Sequence, residues 1–196
     1  MGLAAHSEDV ELSHGRTKFN IDLAVFIDPM PTNLENPEHQ GVPEELKILL
    51  KPTEPYDRCL VIRTKEKINA KSFVNLLAEQ VESHALKKER LERIFDPGEM
   101  PKTPPKDALE KLKEAVIEEA DEKHSGYLPA DCRLAFVWRK EGFLDVRLEN
   151  KRISLILSPE LSWAVFDSFF GPKSIAPDVK DDVVSRMRTQ TAEKEE

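Results

Sequence analysis

The sequence contains few cysteines and glycines, which narrows the classes of protein it can belong to. Its 196 residues include two cysteines and seven glycines. Cys59 and Cys132 lie in apolar runs without a CxxC spacing, so we expect buried free thiols rather than a disulfide framework. The motifs of nucleotide-binding loops, serine hydrolases and zinc proteases are missing, and the five histidines are scattered. We therefore expect no cofactor and no metal site.

Long hydrophobic runs and an excess of positive charge are also missing. No segment approaches the roughly 18 apolar residues that a membrane-spanning helix requires. The net charge is −8, with no block of basic residues interleaved with aromatic ones, so we expect neither a nucleic-acid surface nor an anionic membrane surface. The N-terminal segment lacks the apolar core of a signal peptide and the basic amphipathic pattern of a transit peptide. These features favour a soluble protein of the cytoplasm or an organelle lumen.

The residues present predict one domain with flexible ends. Hydrophobic residues make up 39% of the chain and charged residues 34%, so part of it must be solvated helix, linker or tail. We predict a flexible tail over residues 1–8, a single domain over 9–185 and a disordered tail over 186–196. A proline-rich, charged helical insertion is expected at about 91–130, and the proline-rich stretch 29–43 is expected to be a loop.

Apolar residues recur with the periods of strands and helices. The sequence predicts strands at 10–14, 18–28, 59–64, 133–139, 143–149 and 152–158. Helical spacing follows Asn69, a candidate N-cap, and recurs at 108–120 and 159–170. Short connectors between the last three strands favour antiparallel hairpins. The predicted fold class is α+β, an antiparallel β-sheet with helices layered on one face.

The stretch from Ser158 to Val184 has the clearest local signals. Ser158 is placed as an N-cap, and Pro159 follows where a missing N–H is harmless. Leu161, Val165 and Phe169 then share one helix face. Gly171 is expected to adopt a left-handed conformation that ends the helix.

This stretch also resembles a known family. The run from Ala164 to Gly171, AVFDSFFG, followed by Ile175-Ala-Pro177, is similar to the C-terminal signature of the chalcone isomerase-like family, with Ala176 where that family usually has Ser. The resemblance extends over residues 133–185, is weaker over 18–90 and is absent over 91–130. It implies the open-faced β-sandwich of that family, in agreement with the α+β arrangement predicted from the strand and helix patterns.

The resemblance implies that the catalytic groups of the true isomerases are mostly absent. The hydroxyl-bearing Thr of their N-terminal strand falls on Asn20 or Ile21, and their helix Tyr falls on Phe73. Their Arg falls in the acidic pair at residues 8–9, and their strand Lys falls near Thr64, beside Lys65. An Asn is replaced by Gln80, and Ser168 alone matches. Without the water-ordering hydroxyls and the cationic clamp, we do not expect efficient chalcone cyclisation.

Non-catalytic members of the family bind fatty acids, with an Arg on the carboxylate and apolar side chains around the tail. The resemblance therefore implies a cleft between the sheet and the helices that binds a small amphipathic ligand, either a fatty acid or a phenolic compound. The residues expected to line this cleft are Arg63, Lys65, Phe73, Leu77, Gln80, Ser168 and Phe169. Three structural alternatives stay open. Arg63 could instead face solvent or pair with a carboxylate, the apolar residues could be plain core, and Ser168 could bond the carbonyl one turn back.

Two other functions are compatible with the same residues. One is an isomerase or lyase acting on another small substrate through Gln80, Ser168 and Lys65. The other is a regulatory protein that contacts a protein partner through residues 91–130, with a vestigial cleft filled by its own aromatic side chains.

Overall fold

The computed structural model describes residues 2–14, 17–28, 49–52, 54–86, 91, 94–95 and 105–192. Six strands form one antiparallel sheet in the order β1-β2-β3-β6-β7-β8, and β4 pairs with β5 in a separate short ladder. The strands are β1 (Gly2–His14), β2 (Thr17–Asp28), β3 (Asp57–Thr64), β4 (Ile68–Asn69), β5 (Tyr127–Leu128), β6 (Arg133–Trp138), β7 (Phe143–Leu148) and β8 (Lys151–Leu157). The predicted antiparallel sheet is confirmed.

The described helices are α1 (Ala70–Gln80), continued by a π-helical turn (Val81–Ala85), α2 (Pro105–His124), α3 (Pro159–Phe170) and α4 (Pro177–Ala192). Both predicted N-caps form. The Asn69 side chain accepts from the Ser72 amide at 2.9 Å, and the Ser158 hydroxyl accepts from the Leu161 amide at 3.2 Å. No helix within the described ranges is both long and apolar enough to cross a membrane.

The hairpins at the end of the sheet depend on residues that tolerate positive φ. Glu149 and Asn150 form the two-residue turn between β7 and β8, with φ of 48° and 65°. Between β6 and β7, Gly142 has φ 88°, and a Cβ there would lie 2.6 Å from the Pro159 ring. The predicted short connectors are therefore confirmed as tight antiparallel turns.

The two faces of the sheet differ because side chains alternate along each strand. The side that we call the helix-facing side carries the apolar core, for example Leu23, Ile62, Phe136 and Val146, which are buried. The opposite side, which we call the open face, carries these residues in register: Asp22, Ala24, Phe26, Cys59, Val61, Arg63, Arg133, Ala135, Val137, Asp145, Arg147, Arg152 and Leu155. One layer of core therefore joins helices and sheet.

The structure corrects several boundary predictions. Residues 2–8, expected to be a loose tail, form the first part of β1 and pair with β2. Residues 186–192, expected to be disordered, continue α4. The long apolar face of α2 is buried in the core at Leu109, Leu112 and Val116, so the predicted insertion contributes to the domain interior. The predicted loop 29–43 and most of the proline-rich stretch before α2 lie outside the described residues.

Gly171 is also placed differently from the prediction. Its φ of −75° and ψ of −179° describe an extended conformation, so no left-handed C-cap forms. Glycine is required there because a Cβ would collide with the Asp167 backbone carbonyl and carboxylate. The helix therefore ends where the Gly171 backbone lies close to the carbonyl and carboxylate of Asp167, and not at a left-handed residue.

Candidate functional site

The apolar residues predicted to line a ligand cleft lie on the helix-facing side of the sheet. Phe73 and Leu77 on α1 and Phe169 on α3 are all buried. The Phe73 ring packs edge-on against Phe19 of β2, with 5.7 Å between ring centroids. None of three surface grooves, of about 520, 410 and 790 Å³, is lined by these side chains. Their arrangement is that of a packed core.

The polar members of the predicted set have local partners. The Ser168 hydroxyl donates to the Ala164 carbonyl oxygen at 2.8 Å, one helical turn back. The Gln80 amide donates to the Lys173 carbonyl oxygen, which ties the end of α1 to the loop after α3. Each side chain therefore has a structural role within the helix layer.

Arg63 and Lys65 lie elsewhere. Arg63 is on the open face, where its Nη2 and Nε atoms lie 2.6 Å and 3.0 Å from Asp22 Oδ2. Lys65 Nζ lies 3.2 Å from Asp9 and 3.4 Å from Asp22. The expectation that Arg63 forms a wall of the cleft beneath the helices is wrong, because the two-residue period of β3 turns it away from the buried Ile62 and Thr64.

Asp22 is the centre of this small charged network. The carboxylate is almost completely buried. Burial by itself raises the pKa of Asp22, but hydrogen bonds from the Asp9 amide and the Arg63 guanidinium outweigh it and lower the pKa below its ordinary value. Asp22 is therefore ionised, and its negative charge pairs with the positive charges of Arg63 and Lys65.

A groove of about 410 Å³ opens beside this network on the open face. Its floor consists of small or apolar side chains from three neighbouring strands, Ala24, Phe26, Val61 and Ala135. Arg63, Arg133, His6 and Asn150 stand at its rim, together with Asp22.

Two of the rim residues are cross-strand partners of the same charge. Arg63 of β3 pairs in register with Arg133 of β6, and like charges in that position repel. Arg63 lies 2.6 Å from Asp22 and 3.9 Å from Asp131, whereas within the described part of the chain Arg133 has no acidic side chain in ion-pair contact. Among the described residues the guanidinium of Arg133 is therefore left without an ion-pair partner beside an apolar floor.

A second charged cluster lies on the same face, towards β8. Asp145 is fully buried and receives hydrogen bonds from three guanidinium groups: Arg139 at 3.3 Å, Arg147 at 2.9 Å and Arg152 at 2.9 Å. Burial raises the pKa of Asp145, but these three donors outweigh it and hold the pKa well below its usual range. Arg139 also bonds Asp57 at 2.8 Å. The cluster is an internally paired structural network.

The helix-facing side contains one buried cation that sequence reasoning missed. Arg58 is fully buried, donates to the Lys51 carbonyl oxygen at 2.8 Å and lies 4.3 Å from the Trp138 ring centroid. Burial lowers the pKa of Arg58 to about 10, although Glu54 and Asp57 act in the opposite direction. The alternation of Leu60 and Ile62 is the signal that would have placed Arg58 on the buried side.

The structure brings no ready catalytic or metal centre together among the residues it describes. Lys65 lies on the open face, whereas Ser168 and Gln80 belong to the helix layer, so the three groups considered for catalysis do not converge. No group of three or more His, Cys, Asp or Glu side chains in those ranges is placed to hold a metal ion. Cys59 and Cys132 are buried free thiols, as predicted, and burial raises the pKa of Cys59 to about 11 and that of Cys132 to about 12.

Comparison with known proteins identifies the fold. No family model matches the sequence, and no curated protein matches it significantly. Among solved structures, the fatty-acid binding protein AtFAP1 of Arabidopsis thaliana superposes with a TM-score of 0.63 at 13% sequence identity, over 97% of this chain and 89% of that one. The chain therefore has the chalcone isomerase-like fold that its C-terminal signature suggested.

Proposed function

We propose that the protein is a non-enzymatic binding protein for a fatty acid or a similar amphipathic carboxylate. The observation that carries this proposal is the open-face groove, in which two cross-strand arginines stand above an apolar floor. The fold supports the same class of function, because a solved structure to which this chain is similar is that of a fatty-acid binding protein. The groove would replace the cleft expected beneath the helices.

The arginine pair would bind the carboxylate head. A guanidinium offers a planar set of donors that fits a carboxylate, and charge-assisted hydrogen bonds of this kind are strong. Arg63 already uses Nε and Nη2 on Asp22, which leaves Arg133 as the principal donor. An incoming carboxylate would also relieve the repulsion between Arg63 and Arg133.

The floor of the groove would bind the first part of the hydrocarbon chain. Ala24, Val61 and Ala135 lie in one row across β2, β3 and β6, and their short side chains create the depression. Phe26 adds an apolar wall. A volume of about 410 Å³ lies within the range of roughly 300–1,000 Å³ that is usual for small-molecule sites.

A site beneath the helices remains the competing location. There the cation would be Arg58, beside Trp138, and a ligand would have to displace packed side chains such as Phe166. Because the open-face groove requires no such displacement, we place the ligand there.

The test is a titration of the purified protein with sodium dodecanoate, followed by calorimetry. We expect saturable one-site binding, weakened about tenfold in Arg133→Gln, since a hydrogen bond to a charged group contributes roughly 1.5–3 kcal/mol. Val61→Phe, which fills the floor, should weaken binding as well. Arg186→Gln is the matched control, because Arg186 is an exposed arginine on α4 that pairs with Asp182 and does not line the groove.

Three results would overturn the proposal. Unchanged affinity in both Arg133→Gln and Val61→Phe would remove the groove as the site. Loss of binding in Arg58→Gln alone, with the variant still folded by circular dichroism, would move the ligand beneath the helices. Absence of any saturable binding in the wild-type protein would reject the function itself.

A further inference from the structure

Strand β8 is an edge of the six-stranded sheet. It pairs with β7 on one side, and no described strand pairs with it on the other. An edge strand presents backbone N–H and C=O groups that can pair with an added strand. Natural proteins usually protect such an edge with charges or short strands, but here only the first two residues, Lys151 and Arg152, are charged along the seven-residue strand.

The second half of β8 exposes large apolar side chains. Leu155 is 49% exposed and Leu157 is 45% exposed. Within the described part of the chain only two other large hydrophobic residues, Ile94 and Tyr127, are exposed to a similar degree. Two leucines at alternate positions on an unpaired edge form a small apolar strip that a neighbouring strand could cover.

A groove of about 520 Å³ runs between this edge and helix α2. Its β8 wall is Ile153–Leu157, and its α2 wall carries Glu114, Glu118 and Glu122, which repeat every four residues along one helix face. In the ranges that the structure describes, these three glutamates form no ion pair. One lysine, Lys111, lines the same groove.

An ion-pair network joins the two walls of the groove. Glu119 is buried and bonds Lys151 of β8 at 3.0 Å and Lys123 of its own helix at 2.6 Å. This contact fixes the distance between α2 and β8 at one end of the groove. The three exposed glutamates therefore lie on a helix that is joined to β8, beside an edge with which no described strand pairs.

We propose that this groove binds an extended, basic segment of a partner protein, which adds to β8 as a seventh strand. Side chains of an added strand would alternate between the two faces of the sheet. Those directed towards α2 would meet Glu114, Glu118 and Glu122 and should be lysine or arginine. Those on the open face would lie beside Leu155 and Leu157 and should be apolar. The partner segment is therefore one that alternates basic and aliphatic residues.

The charge of the chain favours such a partner over a second copy of itself. Each copy carries a net charge of −8, and two acidic α2 walls would approach one another across a paired β8 edge, which is repulsive. A basic segment is attracted by the same wall. The inference does not depend on the proposed ligand function, because the β8 groove and the open-face ligand groove have no lining residue in common.

The experiment uses the full chain, labelled with nitrogen-15, and an acetylated, amidated ten-residue peptide that alternates lysine and valine. We expect saturable binding, with the largest amide shifts at Ile153–Leu157 and in α2. A peptide with glutamate in place of lysine should not bind. A lysine–valine peptide with methylated backbone nitrogens should bind at least about tenfold more weakly, because it cannot form ladder hydrogen bonds.

Protein variants separate the groove from general charge attraction. Glu114→Gln/Glu118→Gln should weaken binding about tenfold. Glu110→Gln is the control, because Glu110 is exposed on the same helix but pairs with Lys113 and does not line the groove. Equal loss in the double variant and the control, equal binding of the methylated peptide, or a dimer by sedimentation that β8 variants dissociate would overturn the proposal.

Discussion

The two faces of the six-stranded sheet are stabilised by different interactions, although the same strands form both faces. The helix-facing side buries apolar side chains under α1, α2 and α3, and its polar members, such as Ser168, bond the nearest backbone carbonyl. No helix of the described ranges covers the open face, which places carboxylates among arginines, as at Asp22 and Asp145. Packing stabilises one face and paired charges stabilise the other, so a groove with Arg133 at its rim remains on the open face.

The largest effect on stability is expected from truncating a side chain in the packed core on the helix-facing side. Phe169→Ala should lower the free energy of unfolding by about 3–5 kcal/mol, the usual cost of removing a buried phenylalanine, because Phe169 is fully buried. Urea denaturation measures it. Phe26→Ala on the open face is the control and should cost clearly less, since Phe26 is half-buried. A loss below about 1 kcal/mol in Phe169→Ala would indicate a cavity around that ring.

The charged network of the open face should respond next. Asp145→Asn keeps the shape of the side chain but leaves three guanidinium groups without their shared anion, and we expect a loss of about 2–4 kcal/mol by chemical denaturation, given that the arginines are partly exposed. Asp131→Asn should change stability by less than about 0.5 kcal/mol, because Asp131 is exposed and lies 3.9 Å from Arg63. Similar losses in both variants would show that the cluster does not act as a unit.

Acid should weaken the open face before the packed one. The folded-state pKa values of Asp145 and Asp22 are lowered. Both carboxylates therefore stabilise the folded state at pH values above their unfolded-state pKa of roughly 3.9. That contribution is lost as the pH falls below about 5 towards the folded-state values. The free energy of unfolding, measured from pH 6 to pH 3, should therefore fall with decreasing pH. The slope should be shallower in Asp145→Asn, and an identical slope would exclude Asp145 as a source of the effect.

The smallest effect should come from the one residue that matches the catalytic pattern of the isomerases. Ser168→Ala removes a hydroxyl that donates to the Ala164 carbonyl, so stability should change by less than about 1 kcal/mol. Dodecanoate affinity should stay unchanged, because Ser168 lies on the helix-facing side. Weaker ligand binding in this variant, in a calorimetric titration beside the wild-type protein, would return the site to the region beneath the helices.

Much of the fold was predictable because it depends on local patterns. The alternation in β7 separates Leu144, Val146 and Leu148 from Asp145 and Arg147, and the structure has the same division. The caps at Asn69 and Ser158 follow from side chains that reach their own helix. The first residues of β1 could not be predicted in this way. Their own sequence has no strand pattern, and they form a strand because they pair with β2.

The candidate site was predicted less well, because a family resemblance identifies positions in the sequence without giving the face of the sheet on which each side chain lies. The sequence alone determined an antiparallel α+β fold and buried thiols, since both follow from residue type and spacing along the chain. The tertiary structure alone decided that Arg63 lies across the sheet from Phe73 and Phe169, and that Arg133 stands beside it. The physical reason is that strand register, which joins residues distant in sequence, determines which charges meet and which remain uncompensated.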